Sequence, residues 1–88
     1  MPHNIVIGKP GSLEKMGTAA DQMLADHPTA VKLGYVPDIP EVIAATGLVF
    51  PGETEALEFT SPDQPGQYDF VCTFPGHWRI MKGIMRVK

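Results

Sequence analysis

Three side chains that bind soft metal ions lie within ten residues of each other near the end of the chain. Cys72, His77 and Met81 occur in the segment CTFPGHWRIM, and Cys72 is the only cysteine of the 88 residues. One thiol cannot form an internal disulfide, so Cys72 is a buried structural residue, a nucleophile or a metal ligand. The nearby imidazole of His77 and thioether of Met81 favour the metal-ligand interpretation of Cys72, because copper sites for electron transfer use these donors together with a second imidazole.

The second imidazole must come from another part of the chain, which contains three histidines in all. His27 lies beside Pro28 after a predicted helix, and we expect it to be a solvated helix-end residue that favours the C-terminal dipole. His3 opens a predicted strand and is followed by Asn4, whose amide could hydrogen-bond to backbone or to a thiolate. We therefore expect His3 to be the ligand, with simple exposure of a terminal histidine as the alternative.

Each candidate ligand also has an interpretation without a metal. Cys72 could be a catalytic nucleophile with His77 as its base, although no Asp or Asn that would orient the base is evident nearby. His77 could be an ordinary surface histidine on a loop. Met81 could simply fill the core, since Met85 shows that methionine is used freely in this region.

The elements that would position these residues are mostly short strands. Periodicity and turn residues predict strands over 3–7, 53–60, 67–72 and 83–88, and a strand or a helical turn over 41–46. Ser12 is a plausible N-cap for a helix that runs to Asp26, with Met16 and Met23 on its apolar face, and Pro28 should stop this helix before a loop over 29–40. About five short strands with one helical excursion predict an all-β antiparallel sandwich or barrel.

Composition narrows the class of protein. Hydrophobic residues make up 43% and charged residues 19%, which is typical of a globular chain, and 88 residues suffice for a single domain, 1–88. The net charge of −3 comes without any run of Lys or Arg, which argues against a nucleic-acid partner. No apolar run approaches the ~20 residues of a membrane span, and the N-terminal MPHNIVIGKPG lacks the features of a secretory signal.

The segment CTFPGHWRIMKG resembles the copper-binding loop of the cupredoxin family, in the spacing found in azurin and auracyanin. His3-Asn4 resembles the upstream His-Asn pair of that family, and VIAATGLVFPGETEALEF resembles the segment before the cysteine strand. The resemblance spans residues 3 to 88. It implies a Greek-key β-sandwich with a short helical insertion.

The resemblance also implies roles for individual residues. The equatorial copper ligands would be His3, Cys72 and His77, and Met81 would be the weak axial ligand. The residues expected around these ligands are Pro2, whose carbonyl would lie opposite the methionine, Asn4 and Thr73, which would hydrogen-bond to each other's strands, and Phe74, whose amide would donate to the thiolate. The residues expected to surround the exposed edge of His77 and to dock a partner are Phe74, Pro75, Gly76 and Trp78, although Trp78 could be packing alone.

By the same resemblance, the chain would carry one copper ion, transfer single electrons to a cytochrome or another oxidoreductase, and work in the periplasm or another exported compartment. It would not be an enzyme. Three alternatives stay open: a copper carrier or store, a copper domain of a larger redox enzyme, and an interaction domain with an idle site.

Two departures from the family pattern stand out. Cupredoxins have strands before their first histidine, so we expect this chain to lack the N-terminal strands and to complete its fold with another chain or as a homo-oligomer. Trp78 stands where a small residue is more usual.

Overall fold

A computed structural model describes residues 1–88 and contains one antiparallel sheet with a helical segment packed against it. The strands are β1 (Val6–Gly8), β2 (Val42–Ala45), β3 (Gly66–Val71) and β4 (Lys82–Val87). The helices are α1 (Leu13–Met23), a 3₁₀ turn (Leu24–Asp26) and α2 (His27–Lys32). The strand order is β2-β1-β3-β4, so β1 and β3 are central and the ligand loop begins at the end of a central strand.

The core lies between the central strands and α1. Val6 pairs with Val71 across β1 and β3, and the two side chains form one buried cluster with Met16 of α1. All three are at most 1% exposed, and burial of apolar side chains of this size stabilises the fold by about 1.5–3 kcal/mol each. The prediction that Met16 belongs to the core is confirmed.

The helical segment is longer than the sequence predicted. A loop was expected from residue 29 onward, but α2 runs from His27 to Lys32. Pro28 stands in the first turn of this helix, where no backbone donor is needed, and the Asp26 carboxylate accepts from the N–H of Thr29 at 3.4 Å. The proline therefore starts a new helix instead of ending the structure, and His27 opens that helix instead of closing α1.

The predicted strand over 53–60 is wrong. None of these residues belongs to a strand, and all except Leu57 are exposed. A strand needs a neighbour for its backbone N–H and C=O groups, and this segment pairs with neither edge of the sheet. By contrast, the ambiguous segment 41–46 contains β2, and the predicted strands over 67–72 and 83–88 correspond to β3 and β4.

Only part of the first predicted strand, 3–7, belongs to a strand of the sheet. β1 covers Val6 to Gly8, and His3 joins the structure further upstream through an isolated antiparallel bridge to Val49. The segment before β1 is therefore hydrogen-bonded to the segment after β2, and this bridge fixes the backbone position from which the His3 side chain extends.

Candidate metal centre

Two backbone hydrogen bonds hold His3 in place, one at its N–H and one at its C=O. Its N–H donates to the carbonyl of Val49 at 2.9 Å, and the N–H of Val49 donates back to the carbonyl of His3 at 2.7 Å. The residue is exposed, in contrast to Asn4 beside it, which is buried. His3 thus brings an imidazole to the protein surface from a fixed point of the backbone.

Cys72 directly follows β3 and is 4% exposed. Its N–H donates to the carbonyl of Met81 at 2.9 Å, which closes the loop from residue 72 to 81 at its base. Because the loop leaves β3 and returns at the start of β4, both of its ends are held by the β3–β4 ladder. The thiol is free, and the loop that follows it contains two of the other candidate ligands, His77 and Met81.

His77 lies at the tip of this loop and is 8% exposed. Gly76 before it has φ of +81°, a left-handed conformation that glycine adopts without steric cost, so the PG turn predicted from the sequence is present. The N–H of His77 donates to the carbonyl of Phe74 at 3.0 Å, and its own carbonyl accepts from the N–H of Met81 at 2.8 Å. These bonds fold the loop so that the His77 ring turns inward toward Cys72.

The three predicted equatorial ligands meet at one point. One ligand atom from each of His3, Cys72 and His77 can be chosen so that all three lie within 4.8 Å of one another. The Cys72 Sγ lies 3.9 Å from Nδ1 of His3 and 3.5 Å from Nδ1 of His77. Metal–nitrogen and metal–sulfur bonds of about 2.0–2.3 Å place neighbouring donors roughly 3.5–4 Å apart, so this set fits a single ion.

The chemistry of the donors narrows the choice of ion. One thiol with two imidazoles suits copper, since soft sulfur favours the reduced ion and imidazole accepts both oxidation states. The pKa of His77 is lowered, first by burial and then by the neighbouring charge of His3. A lowered pKa keeps the imidazole neutral at physiological pH, and the neutral ring is the form that binds a metal.

Met81 lies beside this cluster without belonging to the buried core. It is 37% exposed, and together with Cys72 it lines a surface pocket of about 250 Å³. The interpretation of Met81 as core filling does not agree with this exposure. Its role as an axial ligand, and that of the Pro2 carbonyl on the opposite side, remain predictions.

A buried hydrogen-bond network joins the His3 segment to the Cys72 loop. The Asn4 amide Nδ2 donates to the Thr73 hydroxyl at 2.8 Å and to the carbonyl of Gly34 at 2.7 Å. In return, the N–H of Thr73 donates to Oδ1 of Asn4 at 2.8 Å. Asn4 follows one candidate ligand and Thr73 follows another, so this pair controls the spacing between His3 and Cys72.

Tyr35 completes the network and was missed by the sequence analysis. It has φ of +56°, is fully buried, and its carbonyl accepts a hydrogen bond from the hydroxyl of Thr73. Its own hydroxyl is hydrogen-bonded to Nδ1 of His27, and burial raises the pKa of Tyr35. The preceding Gly34 was the one local signal of a chain reversal here, but nothing in the sequence relates Tyr35 to a loop 38 residues away.

Phe74 differs in part from its predicted role. Its ring lies 5.2 Å from the His77 ring and 5.6 Å from the Tyr35 ring, centroid to centroid, so it packs between the ligand and the core. The predicted hydrogen bond from its amide to the Cys72 sulfur is not formed, since the sulfur's hydrogen-bond partners are the two histidine rings. Pro75 is half-buried and Gly76 is exposed, next to the buried His77.

Trp78 contacts α1. Its ring lies against Gly17, its Nε1–H points at Asp21, and it packs at the border of the core. The structure shows that this ring packs on α1, and its role in docking a partner stays a prediction.

Comparison with known proteins agrees with this donor set. The family model for copper binding proteins of the plastocyanin/azurin family matches residues 1–88. The azurin of Alcaligenes faecalis is 38% identical over 90 residues, which cover 99% of this chain and 66% of that protein. Auracyanin-B of Chloroflexus aurantiacus is 42% identical over 52 residues, covering 58% of this chain and 22% of that protein.

Solved structures show the same fold. An azurin (Az-iso2) from Methylomonas sp. strain J superposes with a TM-score of 0.78 at 25% identity, over 100% of this chain and 66% of that one. A reduced auracyanin from Roseiflexus castenholzii gives 0.73 at 38% identity, over 100% of this chain and 67% of that one. These neighbours confirm the predicted cupredoxin-like Greek-key β-sandwich with a helical insertion.

This chain spans about two thirds of the length of the A. faecalis azurin and 56% of that of the Achromobacter denitrificans azurin. The match nevertheless extends over the whole of this chain and includes the His-Cys-His cluster. The chain belongs to the plastocyanin/azurin family of copper-binding proteins.

Proposed function

We propose that this chain is a blue-copper protein that transfers single electrons, with His3, Cys72 and His77 as equatorial ligands and Met81 as the weak axial ligand. The observation that carries the proposal is the convergence of a thiol and two imidazoles within 4.8 Å from two distant segments of the chain. Copper supplies a one-electron couple between Cu(II) and Cu(I) at such a site.

The protein's part in this function is to hold the donors in one arrangement. Three sets of hydrogen bonds hold the chain at a candidate ligand or at its neighbour: the buried Asn4–Thr73 pair, the Cys72–Met81 backbone bond and the His3–Val49 bridge. Because these bonds are made within the protein, they do not depend on the oxidation state of the ion. A donor set that changes little between the two states keeps the reorganisation on electron transfer small.

We propose that electrons leave through the edge of His77. Phe74 packs on the His77 ring, and Pro75 and Gly76 form the turn directly before it, so these residues together with Trp78 would make the docking surface. A redox protein, a cytochrome or another oxidoreductase, would dock there. No bond would be made or broken in a substrate, so the chain would act as a carrier and not as an enzyme, with residues 1–88 acting as one domain.

We also propose that the protein works in the periplasm or another exported compartment. The support is the kinship with azurins and with a protein of Neisseria meningitidis named outer membrane protein H.8, which is 36% identical over 85 residues. No helix in the structure is both long and apolar enough to cross a bilayer.

The test is an absorption and EPR spectrum after addition of one equivalent of Cu(II), with the solution mass measured on the same sample. We expect an intense thiolate-to-copper band and narrow copper hyperfine splitting, both retained through repeated reduction and reoxidation. Cys72→Ser should abolish the band, while Met85→Leu, which removes a sulfur atom from β4 outside the ligand loop, is the matched control.

A pale spectrum from folded wild-type protein would refute the blue-copper proposal. A normal spectrum with rapid loss of copper to a competing chelator, or during redox cycling, would instead indicate a copper carrier or store.

A further inference from the structure

Trp78, which directly follows the candidate ligand His77, packs against α1 at Gly17. Gly17 of α1 is buried, and a Cβ at this position would lie 2.1 Å from Cδ2 of Trp78 and 2.4 Å from Cε2 and Cε3. Carbon atoms cannot approach each other that closely, so the indole occupies the space that any other residue type at position 17 would need. The absence of a side chain on α1 thus forms a seat for Trp78.

Polar contacts fix the orientation of the indole in this seat. The Nε1–H of Trp78 points at both carboxylate oxygens of Asp21, each at 3.2 Å. The Arg79 guanidinium lies 4.8 Å from the ring centroid and 3.8 Å from the Asp21 carboxylate. Gly17 and Asp21 are four residues apart and therefore lie on the same face of α1. These polar contacts lie at the surface and are individually weak, but all of them favour the same orientation of the ring.

The loop that carries His77 is held by backbone hydrogen bonds at its base, from Cys72 to Met81, and at His77 itself, which is bonded to Phe74 and Met81. Between these points, Gly76 has the backbone freedom of glycine, and Trp78 provides a side-chain contact with α1. The seat on α1 holds the chain one residue beyond His77, where the loop turns back toward β4. A side chain fixed there restricts the backbone of His77 and hence the direction of its imidazole.

We propose that Trp78 is a positioning residue for the copper centre. Its ring holds the His77 side of the ligand loop against α1, so that the imidazole is in place before the metal binds. This inference rests on the proposed function, since it takes His77 as a ligand. Groups that hydrogen-bond directly to a metal ligand typically contribute about 10–100-fold to metal affinity. Because Trp78 acts on His77 through the backbone, we expect its effect at the lower end of this range.

The alternative is that Trp78 only fills space at the border of the core formed by Val6, Met16 and Val71. In that case its replacement would lower the free energy of unfolding and leave the copper centre and the loop unchanged. The two roles therefore differ in their effect on the site and not in their effect on stability.

The experiment compares wild type with Trp78→Phe, which keeps a ring but loses the Nε1–H, and with Gly17→Ala, which displaces the ring. Asp21→Ala and Asp21→Asn form a matched pair, because the amide of asparagine keeps an acceptor oxygen. Glu14→Gln is the control for loss of an exposed carboxylate on the same helix. The measurements are copper loss to a chelator, the EPR hyperfine splitting, and amide hydrogen exchange of residues 73–81 in the metal-free protein.

We expect Trp78→Phe, Gly17→Ala and Asp21→Ala to lose copper about tenfold faster, at the lower end of the range for such partners, and to exchange the loop amides faster without metal. Asp21→Asn should recover most of the loss, and Glu14→Gln should match wild type. If Gly17→Ala does not fold, Trp78→Phe and the Asp21 pair still decide the matter.

Variants that are less stable but have wild-type hyperfine splitting, copper retention and loop exchange would overturn the proposal and assign Trp78 to packing alone. A wild-type protein without a thiolate-to-copper band would instead refute the proposed function. The exchange data on metal-free protein would still show whether α1 orders the loop, so the two failures are distinguishable.

Discussion

Asn4→Ala is expected to weaken both the fold and the metal site, because this amide is the main polar link between the two ligand segments. The side chain is 4% exposed and takes part in three hydrogen bonds, two with Thr73 and one with the carbonyl of Gly34. Each bond contributes about 1 kcal/mol net, and the N–H of Thr73, in a residue that is 0% exposed, would lose its partner at a further cost of about 1–3 kcal/mol.

The sum predicts a loss of roughly 4–6 kcal/mol, which is a large part of the stability of a domain of this size. Denaturant unfolding of the metal-free protein measures it, with the midpoint shifted and the slope m unchanged. Gln67→Ala, at an exposed position of β3, is the matched amide control and should change stability by less than about 0.5 kcal/mol.

A double-mutant cycle then isolates the bond between the Asn4 amide and the Thr73 hydroxyl. Thr73→Ala removes that hydroxyl but keeps the backbone N–H, so the cycle should give a coupling energy of about 0.5–1.5 kcal/mol. If Asn4→Ala fails to fold, Thr73→Ala and Thr73→Ser alone remain measurable, and the serine variant should retain most of the stability. A loss below about 1 kcal/mol in Asn4→Ala, or no coupling in the cycle, would refute this account of the network.

Three further predictions concern the site and the sheet. Met81→Leu should retain copper and raise the reduction potential, because the axial thioether donation is lost; a voltammetric potential equal to that of wild type would argue against Met81 as a ligand. The pKa of His77 is lower in the folded protein than its ordinary value of 6.5, so the folded state binds this proton more weakly. The metal-free protein should therefore be fully stabilised above about pH 6.5 and lose stability as the pH falls through the folded pKa, and His77→Gln should remove this slope in urea titrations between pH 7.5 and 5. Gly83→Ala should destabilise by about 1–3 kcal/mol, since its Cβ would lie 2.4 Å from Cζ of Phe70; an unchanged thermal midpoint would show that the ring moves aside freely.

The cluster of His3, Cys72 and His77 was predictable because these side chains differ chemically from the rest of the chain. One cysteine and three histidines leave few ways to assemble a copper site, and the loop spacing favours one of them. The structure then brings His3 within 3.9 Å of the Cys72 sulfur across 69 residues of sequence, while His27 binds the Tyr35 hydroxyl elsewhere.

The elements around the site were less predictable. Local pattern identified α1, β3 and β4, because apolar periodicity and turn residues act over short distances. The segment 53–60 also alternates, yet it has no partner strand, and alternation alone cannot supply one. Pro28 is compatible with both a helix end and a helix start, and only the cap from Asp26 to the N–H of Thr29 selects the second.

The sequence by itself determined the chemistry of this protein: the donor types, their spacing on the loop and the family to which they belong. The tertiary structure decided what holds those donors, since Tyr35 and Trp78 act through contacts with residues that are remote in the chain. Tyr35, whose backbone adopts a positive φ, accepts a hydrogen bond from Thr73 at its carbonyl, and Trp78 meets α1 because Gly17 leaves room for the ring. Both depend on the close approach of separate segments, which is a property of packing in three dimensions and leaves no periodic trace in the sequence.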